Sequence, residues 1–416
     1  MPPPRVLIIG CGVAGPVVAL LLQRKGYSPI VLEKVRELGD AGSSLMLMPN
    51  GLKVLSLLGL SSFATESTPH LACLRDISSD GTELGGSKLP AIWKERYGQP
   101  ACGVKRTALN LALKDRCLAA GIPVLEGWNL QNIIESGNGV TAIAKDGRKE
   151  EGSFLIGCDG IRSMTRSLVL RTHGIDEEEA TFTGLTQAAG TSAIPESWNS
   201  NPGMLNWYGP SAHFITFPVF PSTTTSWAIT ERSSIEEVET WQQMSPDQLA
   251  AYKKKLTEQF KGWCEPIPEL IKSATRIIKY GLYDRPQLEP RQWVSEQGRC
   301  VLIGDAAHPT SPHLGQGANQ ALEDCYHLAK MLPNVERGEV QHPSLNVQKL
   351  KLVLLEFAEK RQPRTAVLVK GARAHGEKRV VDDEEACQVR DEVLRSGWED
   401  VEGVEAKWEG LLKEPF

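Results

Sequence analysis

Three glycines set between two apolar runs near the amino end constrain this chain more than any other feature. Val6–Ile9 has the continuous apolar character of a strand buried on both faces, and Gly10-Cys11-Gly12-Val13-Ala14-Gly15 follows it directly. Pro16–Lys25 continues as an apolar helix, and Ser28–Leu32 reads as a second strand closed by Glu33. A strand, a glycine turn, a helix and a second strand ending in an acid predict a parallel β-α-β unit that binds a dinucleotide. Gly10 makes the tight turn, Gly12 lets backbone approach a pyrophosphate, and Gly15 lets helix and strand pack closely. The helix amino terminus adds N–H groups and positive potential, and Glu33 can accept two ribose hydroxyls. Val13, Ala14 and Lys34 join them as candidate cofactor contacts. This unit alone does not separate FAD from NAD.

The stretch Val6–Leu22 carries no charge and follows Arg5, so it also has the outline of a secretion signal or a short membrane span. Gly10, Gly12, Gly15 and Pro16 would weaken a spanning helix, and no other stretch is comparably apolar. We therefore expect no membrane anchor. Lys plus Arg number 46 against 51 Asp plus Glu, a formal charge of −5, which leaves no basic excess to neutralise a phosphate backbone and excludes nucleic acid as the expected partner. With 41% hydrophobic and 23% charged residues, the composition excludes disordered, collagenous and coiled-coil classes. The nine cysteines include no C-x-x-C pair, and several sit in strand-like runs such as Leu155–Cys158 and Cys300–Ile303. They read as buried thiols of a reducing, cytoplasmic compartment.

Along the chain, Leu71–Ser87 alternates as a hairpin with its turn at Asp80-Gly81, and Thr107–Ala120 is a helix stopped by Gly121. Thr181–Arg232 is rich in Thr, Ser and aromatic residues and predicts a mostly antiparallel sheet, after which Ser245-Pro246-Asp247 starts a helix. Past Gly338 the pattern is polar and helical, with a break expected at Pro363 and the helices packed outside the core. The order α/β, then β, then α/β predicts a sheet-rich domain inserted into a nucleotide-binding one. The expected boundaries are 1–70, 101–175 and 281–335 for the nucleotide-binding domain, 71–100 and 176–280 for the inserted substrate domain, and 336–416 for a carboxy-terminal helical region.

Two later segments repeat the theme of strand, glycine and acid. Phe154–Gly157 is an apolar strand that delivers Asp159-Gly160, followed by Arg162 and Ser163; taken alone it is equally well a simple loop. Cys300–Ile303 delivers Gly304-Asp305 and continues through Pro312-His313-Leu314-Gly315-Gln316-Gly317 into a helix. Asp305 can accept polyol hydroxyls at the strand end. The turn exposes uncapped N–H groups that favour negative charge by ~0.3 to 1 kcal/mol at a surface and up to ~2 kcal/mol when partly buried.

At these residues the chain resembles the single-component FAD-dependent monooxygenases, the p-hydroxybenzoate hydroxylase-like aromatic hydroxylases, over about residues 5 to 375. The resemblance implies an α/β fold: a Rossmann-like FAD-binding domain, an inserted mostly antiparallel β-sheet substrate domain and carboxy-terminal helices. It implies that Gly10, Gly12, Gly15 and Glu33 hold the ADP part of FAD, and that Asp159, Gly160 and Arg162 contact FAD and NADPH. Gly304 and Asp305 would bind the ribityl chain, and Pro312, Gly315, Gly317, Ala318 and Asn319 would lie at the flavin ring. Arg106, with Leu109 and Leu113, matches an Arg that contacts FAD; Pro49 and Asn50 match a segment beneath the flavin; Arg285-Pro286 and Trp293 match the lead into the third motif. One departure stands out. Many relatives carry Trp-Arg-Gly in the first strand of the substrate sheet, whereas Ala188-Ala189-Gly190 stands here, which implies a roomier and more apolar pocket lined by Ala189.

The implied reaction uses NADPH or NADH to reduce FAD, adds oxygen at the 4a carbon of the flavin, and inserts one oxygen atom from O2 into an aromatic, polycyclic or alkaloid-like small molecule. Hydroxylation and epoxidation both fit, as does a place in secondary metabolism. With one glycine fingerprint, the nicotinamide is expected to bind transiently, to a monomer or homodimer. A non-catalytic flavin-fold binding protein, a pure NAD dehydrogenase or another FAD-dependent oxidoreductase are the alternatives. Trp207, Tyr208, His213, Phe214 and Phe217 cluster in one apparent strand pair, where alternation aims about half of them at the flavin side. Trp207, Phe214 and Phe217 are the candidate substrate contacts, and His213 or Tyr208 the candidate polar catalytic handle. His308 and His313 read as loop scaffold, and no metal is expected.

Overall fold

The computed structural model describes residues 2–37, 43–66, 68–195, 202–220, 222–237, 244–335 and 346–416. Its first sheet has five strands in the order β12 (Cys300–Leu302), β6 (Phe154–Gly157), β1 (Arg5–Ile9), β2 (Ser28–Leu32) and β5 (Val124–Leu125). Every pairing is parallel. Val6, Leu7 and Ile8 are fully buried, because α1 (Ala14–Arg24) and the neighbouring elements cover both faces. Register then does the work that sequence distance conceals. Ile9 pairs with Gly157 and Gly157 with Leu302, so the three glycine-and-acid segments leave the sheet side by side from one edge.

The second sheet has seven strands in the order β11 (Arg276–Asp284), β7 (Thr181–Ala193), β10 (Thr224–Arg232), β9 (Ala212–Val219), β8 (Gly203–Gly209), β3 (Cys73–Ser78) and β4 (Glu83–Ser87). It is antiparallel except where β8 meets β3. Alternation gives it two different faces. Ile77, Leu205, Trp207, Phe214, Trp227 and Ile229 pack against Leu256 and Phe260 of α5 (Pro246–Gln259) and Leu270 and Ile271 of α6 (Ile267–Ser273). Helix α5 starts where its sequence says, with a reciprocal capping box between Ser245 and Gln248. The hairpin of β3 and β4 also matches its sequence pattern.

The carboxy-terminal helices differ from expectation in two respects. First, α8 (Val347–Arg379) runs for 33 residues through Pro363 rather than breaking there. An interior proline costs ~3 kcal/mol. The buried Arg361 side chain two residues before it is tied to Asp324, and that anchoring offsets the lost helix bond; Thr365 Oγ1, two residues after it, donates to the Arg361 carbonyl of the same helix at 3.3 Å. Second, α8 is not outside the core: Leu350, Leu354, Phe357 and Ala358 belong to the main hydrophobic cluster. After α9 (Glu384–Glu399) and α10 (Val401–Leu412), the chain end is fastened to Lys53 on α2 (Pro49–Leu57). Its Nζ donates to the carbonyls of Leu412, Lys413, Glu414 and Phe416 at 3.2, 2.7, 3.3 and 3.0 Å. No helix among the described residues is long and apolar enough to cross a membrane.

Candidate active site

Between the strand ends of the first sheet and the free face of the second lies one cavity of about 2030 Å³, overlaid by α8, α9 and α10. That exceeds the ~300–1,000 Å³ of a pocket for one drug-sized molecule, so it has room for a dinucleotide and a second ligand together.

At its first end, Gly10 has φ +104°, and a Cβ there would sit 2.6 Å from the Cys158 carbonyl oxygen. A Cβ on Gly12 would meet nothing within 4 Å, which leaves that backbone open to the cavity. Gly15 does not line the cavity; a Cβ on it would fall 2.0 Å from the Gly10 carbonyl, so its smallness serves helix-on-strand packing. Val13, Ala14 and Lys34 line the wall, and α1 starts without a side-chain cap. Glu33 accepts the Cys11 N–H at 2.6 Å and the Val35 N–H at 2.8 Å, which aims its carboxylate at the cavity with further lone pairs free.

Asp159 lines the wall but is engaged by its own chain. It accepts from Ser163 Oγ at 2.5 Å and from the Thr165 N–H and Oγ1 at 3.0 Å each, holding the start of the helix Met164–Thr172. Burial pushes its pKa up. The simple-loop reading thus accounts for its carboxylate, while Gly160 and Arg162 face the cavity, the latter guanidinium 5.3 Å from the Tyr283 ring centre.

Asp305 is the counterpoint: its carboxylate lines the cavity, burial pushes its pKa up, and no described residue donates a hydrogen bond to it. Gly304, Arg106, Pro312, Gly315, Gly317 and Ala318 line the same wall. Gly315 takes a left-handed φ of +61°, and α7 (Gly317–Met331) begins with no side-chain cap. Asn319 stands behind this wall. It accepts the Met48 N–H at 3.0 Å and donates to the carbonyls of Met46 at 3.0 Å and Gly315 at 2.9 Å, so it positions the turn rather than lining it. Asn50 is likewise fully buried, donating to Gln316 and Glu323.

Sequence reasoning missed the support beneath this turn. Asp324 accepts the Gly304 N–H at 2.9 Å, His308 Nε2 at 2.6 Å and Arg361 Nε at 2.7 Å. Although burial opposes ionisation, the charges of His308 and Arg361 hold the Asp324 carboxyl well below the usual range. Glu323 beside it takes Arg361 and Arg364. The signal was present: two adjacent acids within the apolar face Ala321–Ala329 imply buried, paired carboxylates.

The sheet face of the cavity corrects several expectations. Tyr208, Phe217 and Ala189 line it. Trp207 and Phe214 do not, because strand alternation turns them into the core with Phe260. His213 is on the inner side yet wholly buried, donating or accepting at Asn206 Oδ1 at 3.1 Å and packed against Tyr208; burial holds it neutral. The wall is also not simply apolar. Gln187, Asn206, Asp76, His375, Arg379 and Lys407 join it, the last three from α8 and α10. Asp76 accepts Trp398 Nε1 at 2.8 Å, Asn206 Nδ2 at 3.0 Å and Tyr208 Oη at 3.4 Å.

A carboxylate at Asp305 that accepts no hydrogen bond among the described residues, an open backbone at Gly12 and two uncapped helix starts on one cavity fit a polyol-linked dinucleotide such as FAD. These features define a flavoprotein oxidoreductase. Residues 4–347 match the model of a family described as FAD binding domain, and the chain belongs to this family of single-component FAD-dependent monooxygenases. It is 32% identical to 3-amino-4-hydroxybenzoate 2-monooxygenase of Streptomyces cremeus, over 94% of this chain and 92% of that one. It is 27% identical to aurachin C monooxygenase/isomerase of Stigmatella aurantiaca, over 94% and 93%. Klebsiella pneumoniae HpxO, complexed with FAD and uric acid, shares the fold with a TM-score of 0.78 at 23% identity, over 94% of this chain and 92% of that one.

Proposed function

We propose that this enzyme uses NADPH or NADH and O2 to hydroxylate an aromatic small molecule held on the inner face of the seven-stranded sheet. The observation that carries this reading is the single cavity that joins the three glycine-and-acid turns to Tyr208, Phe217 and Ala189. Gly12, Glu33, Arg106, Arg162, Asp305 and the start of α7 would hold the cofactor. When bound, the flavin supplies electron storage and oxygen activation. The N–H groups at the start of α7 favour negative charge beside Gly315. Helices α8 to α10 overlie the cavity and would limit the water that diverts the reaction once substrate and cofactor fill it. A proton leaving a substrate hydroxyl at Tyr208 Oη has Asp76 Oδ1 as its next acceptor, 3.4 Å away, which makes Tyr208 the polar handle.

Nine free thiols support placing the protein in a reducing cytoplasm. The test is a panel of aromatic compounds scored for faster NADPH or NADH consumption without peroxide release. Stimulated consumption that yields only peroxide, with no oxygenated product for any compound, refutes the reading.

A further inference from the structure

The inner face of the seven-stranded sheet changes character one step along its strands. Between β3 and β8, Asp76 pairs with Asn206, and the next cavity-facing pair, Leu74 with Met204, follows two residues away. Two residues of strand span ~6.5 Å, so an apolar row begins that far from the polar one beside Tyr208. Phe217 on β9 extends the row, being next in sequence to Thr216, the partner of Leu205. Trp408 and Leu411, three residues apart on α10, pack with Leu74, Met204 and Phe217 in one apolar cluster. All five line the cavity, so this cluster is an apolar strip of its wall.

The wall stays aliphatic where the cavity reaches the surface. Val404, one turn before Trp408, belongs to it, as do Val393 on α9 and Val367 on α8, which are 56% and 70% exposed. An isolated exposed valine is ordinary, but these two stand on the rim of a cavity. The charged residues at this end are already engaged. Asp400 accepts the Gly403 N–H at 2.9 Å, while Arg364 pairs with Glu323 and donates to the carbonyls of Gly410 and Leu411 at 2.9 Å each. Lys407, beside Trp408 in sequence, interacts with Asp76 and so belongs to the polar row. Apolar walls of this kind gain by exchanging water for hydrocarbon, and a methionine such as Met204 adapts to a flexible chain.

We propose that the strip from Leu74 and Met204 to Val404 binds an aliphatic chain carried by the aromatic substrate, with the ring at the polar row and the chain directed between α8 and α10 toward Val367 and Val393. This rests on the aromatic-substrate reading above and deepens it, naming an alkylated ring as the substrate class.

Calorimetric titration of the FAD-loaded protein with phenol, 4-ethylphenol, 4-propylphenol and 4-pentylphenol, in the absence of nicotinamide, tests it. Affinity should rise roughly 2- to 4-fold with each added methylene. Val404→Asp places a charge in the strip and should flatten that gain to less than about 1.5-fold per methylene, and Val404→Thr, which exchanges a methyl for a hydroxyl, should give a gain between the two. Equal affinity of the wild type for all four phenols overturns the proposal, as does a folded Val404→Asp protein that keeps the wild-type gain. Should Val404→Asp not fold, an undiminished gain in Val404→Thr overturns it equally. A gain that the variants lose would uphold this site even if no alkylphenol were ever oxygenated, an outcome that refutes the reaction alone.

Discussion

Arg361 Nε donates to Asp324 Oδ1 at 2.7 Å while Asp324 Oδ2 accepts the Gly304 N–H at 2.9 Å, so one buried carboxylate couples the long helix α8 to the turn that presents Asp305. Arg361→Met should leave Asp324 and Glu323 short of their buried partner and destabilise the fold by about 3–5 kcal/mol. Urea unfolding measures this. A midpoint equal to wild type would mean that the ion cluster contributes nothing to holding α8 in place.

Asp305→Ala removes an acceptor that no described residue occupies. Fold stability should therefore change little, while FAD retention falls by roughly 10- to 100-fold, the loss expected for hydrogen bonds to a charged group. Flavin content after dialysis is the readout, with Asp305→Asn as an intermediate; full retention in the alanine variant refutes a role in holding the cofactor.

Ala189→Arg should act on substrate and not on flavin. The longer side chain enters the wall where Val380 packs, so it displaces α8 from the sheet and occupies substrate space. We expect loss of turnover, with a raised KM for whatever activity survives, and undiminished FAD content. Unchanged turnover would show that this part of the wall does not touch the substrate.

Stability should begin to fall at a higher pH than carboxylates alone would set. Burial pushes His313 down to about 3 and His327 to about 4, and the charge of Arg379 together with burial pushes His375 to about 2, from an ordinary 6.5. Below that value the unfolded chain takes up protons that the folded one refuses, so stability is complete above it and declines as the pH falls toward the folded values. The slope is at most about 1.4 kcal/mol per pH unit for each histidine. Asp324, held below the usual carboxylate range, loses its contribution only in stronger acid. Melting temperatures between about pH 7.5 and 5 should therefore decline, and His327→Gln should flatten the curve. A flat wild-type profile over that range would contradict this account.

What sequence revealed depended on how local each determinant is. The β-α-β unit, the hairpin of β3 and β4 and the capped start of α5 are encoded within short windows, and the structure matches them. The convergence of three distant turns was legible because each ends a parallel strand. Trp207 and Phe214 face the core instead of the cavity because alternation fixes two faces but not which one meets the cavity; α5 and α6 decide that. Pro363 misled because local propensity yields to the buried anchoring of Arg361. Nothing near Arg379 in the sequence links it to the sheet, since that contact comes from tertiary docking of Val380.

The two faces of the seven-stranded sheet divide labour residue by residue. Positions 189, 206, 208, 215, 217 and 228 look into the cavity, while their immediate neighbours 188, 205, 207, 214 and 229 are locked against α5, α6 and one another. A library randomised only at the former set would explore new chemistry on an unaltered chassis, which makes this sheet a practical starting point for retooling the enzyme toward unfamiliar rings.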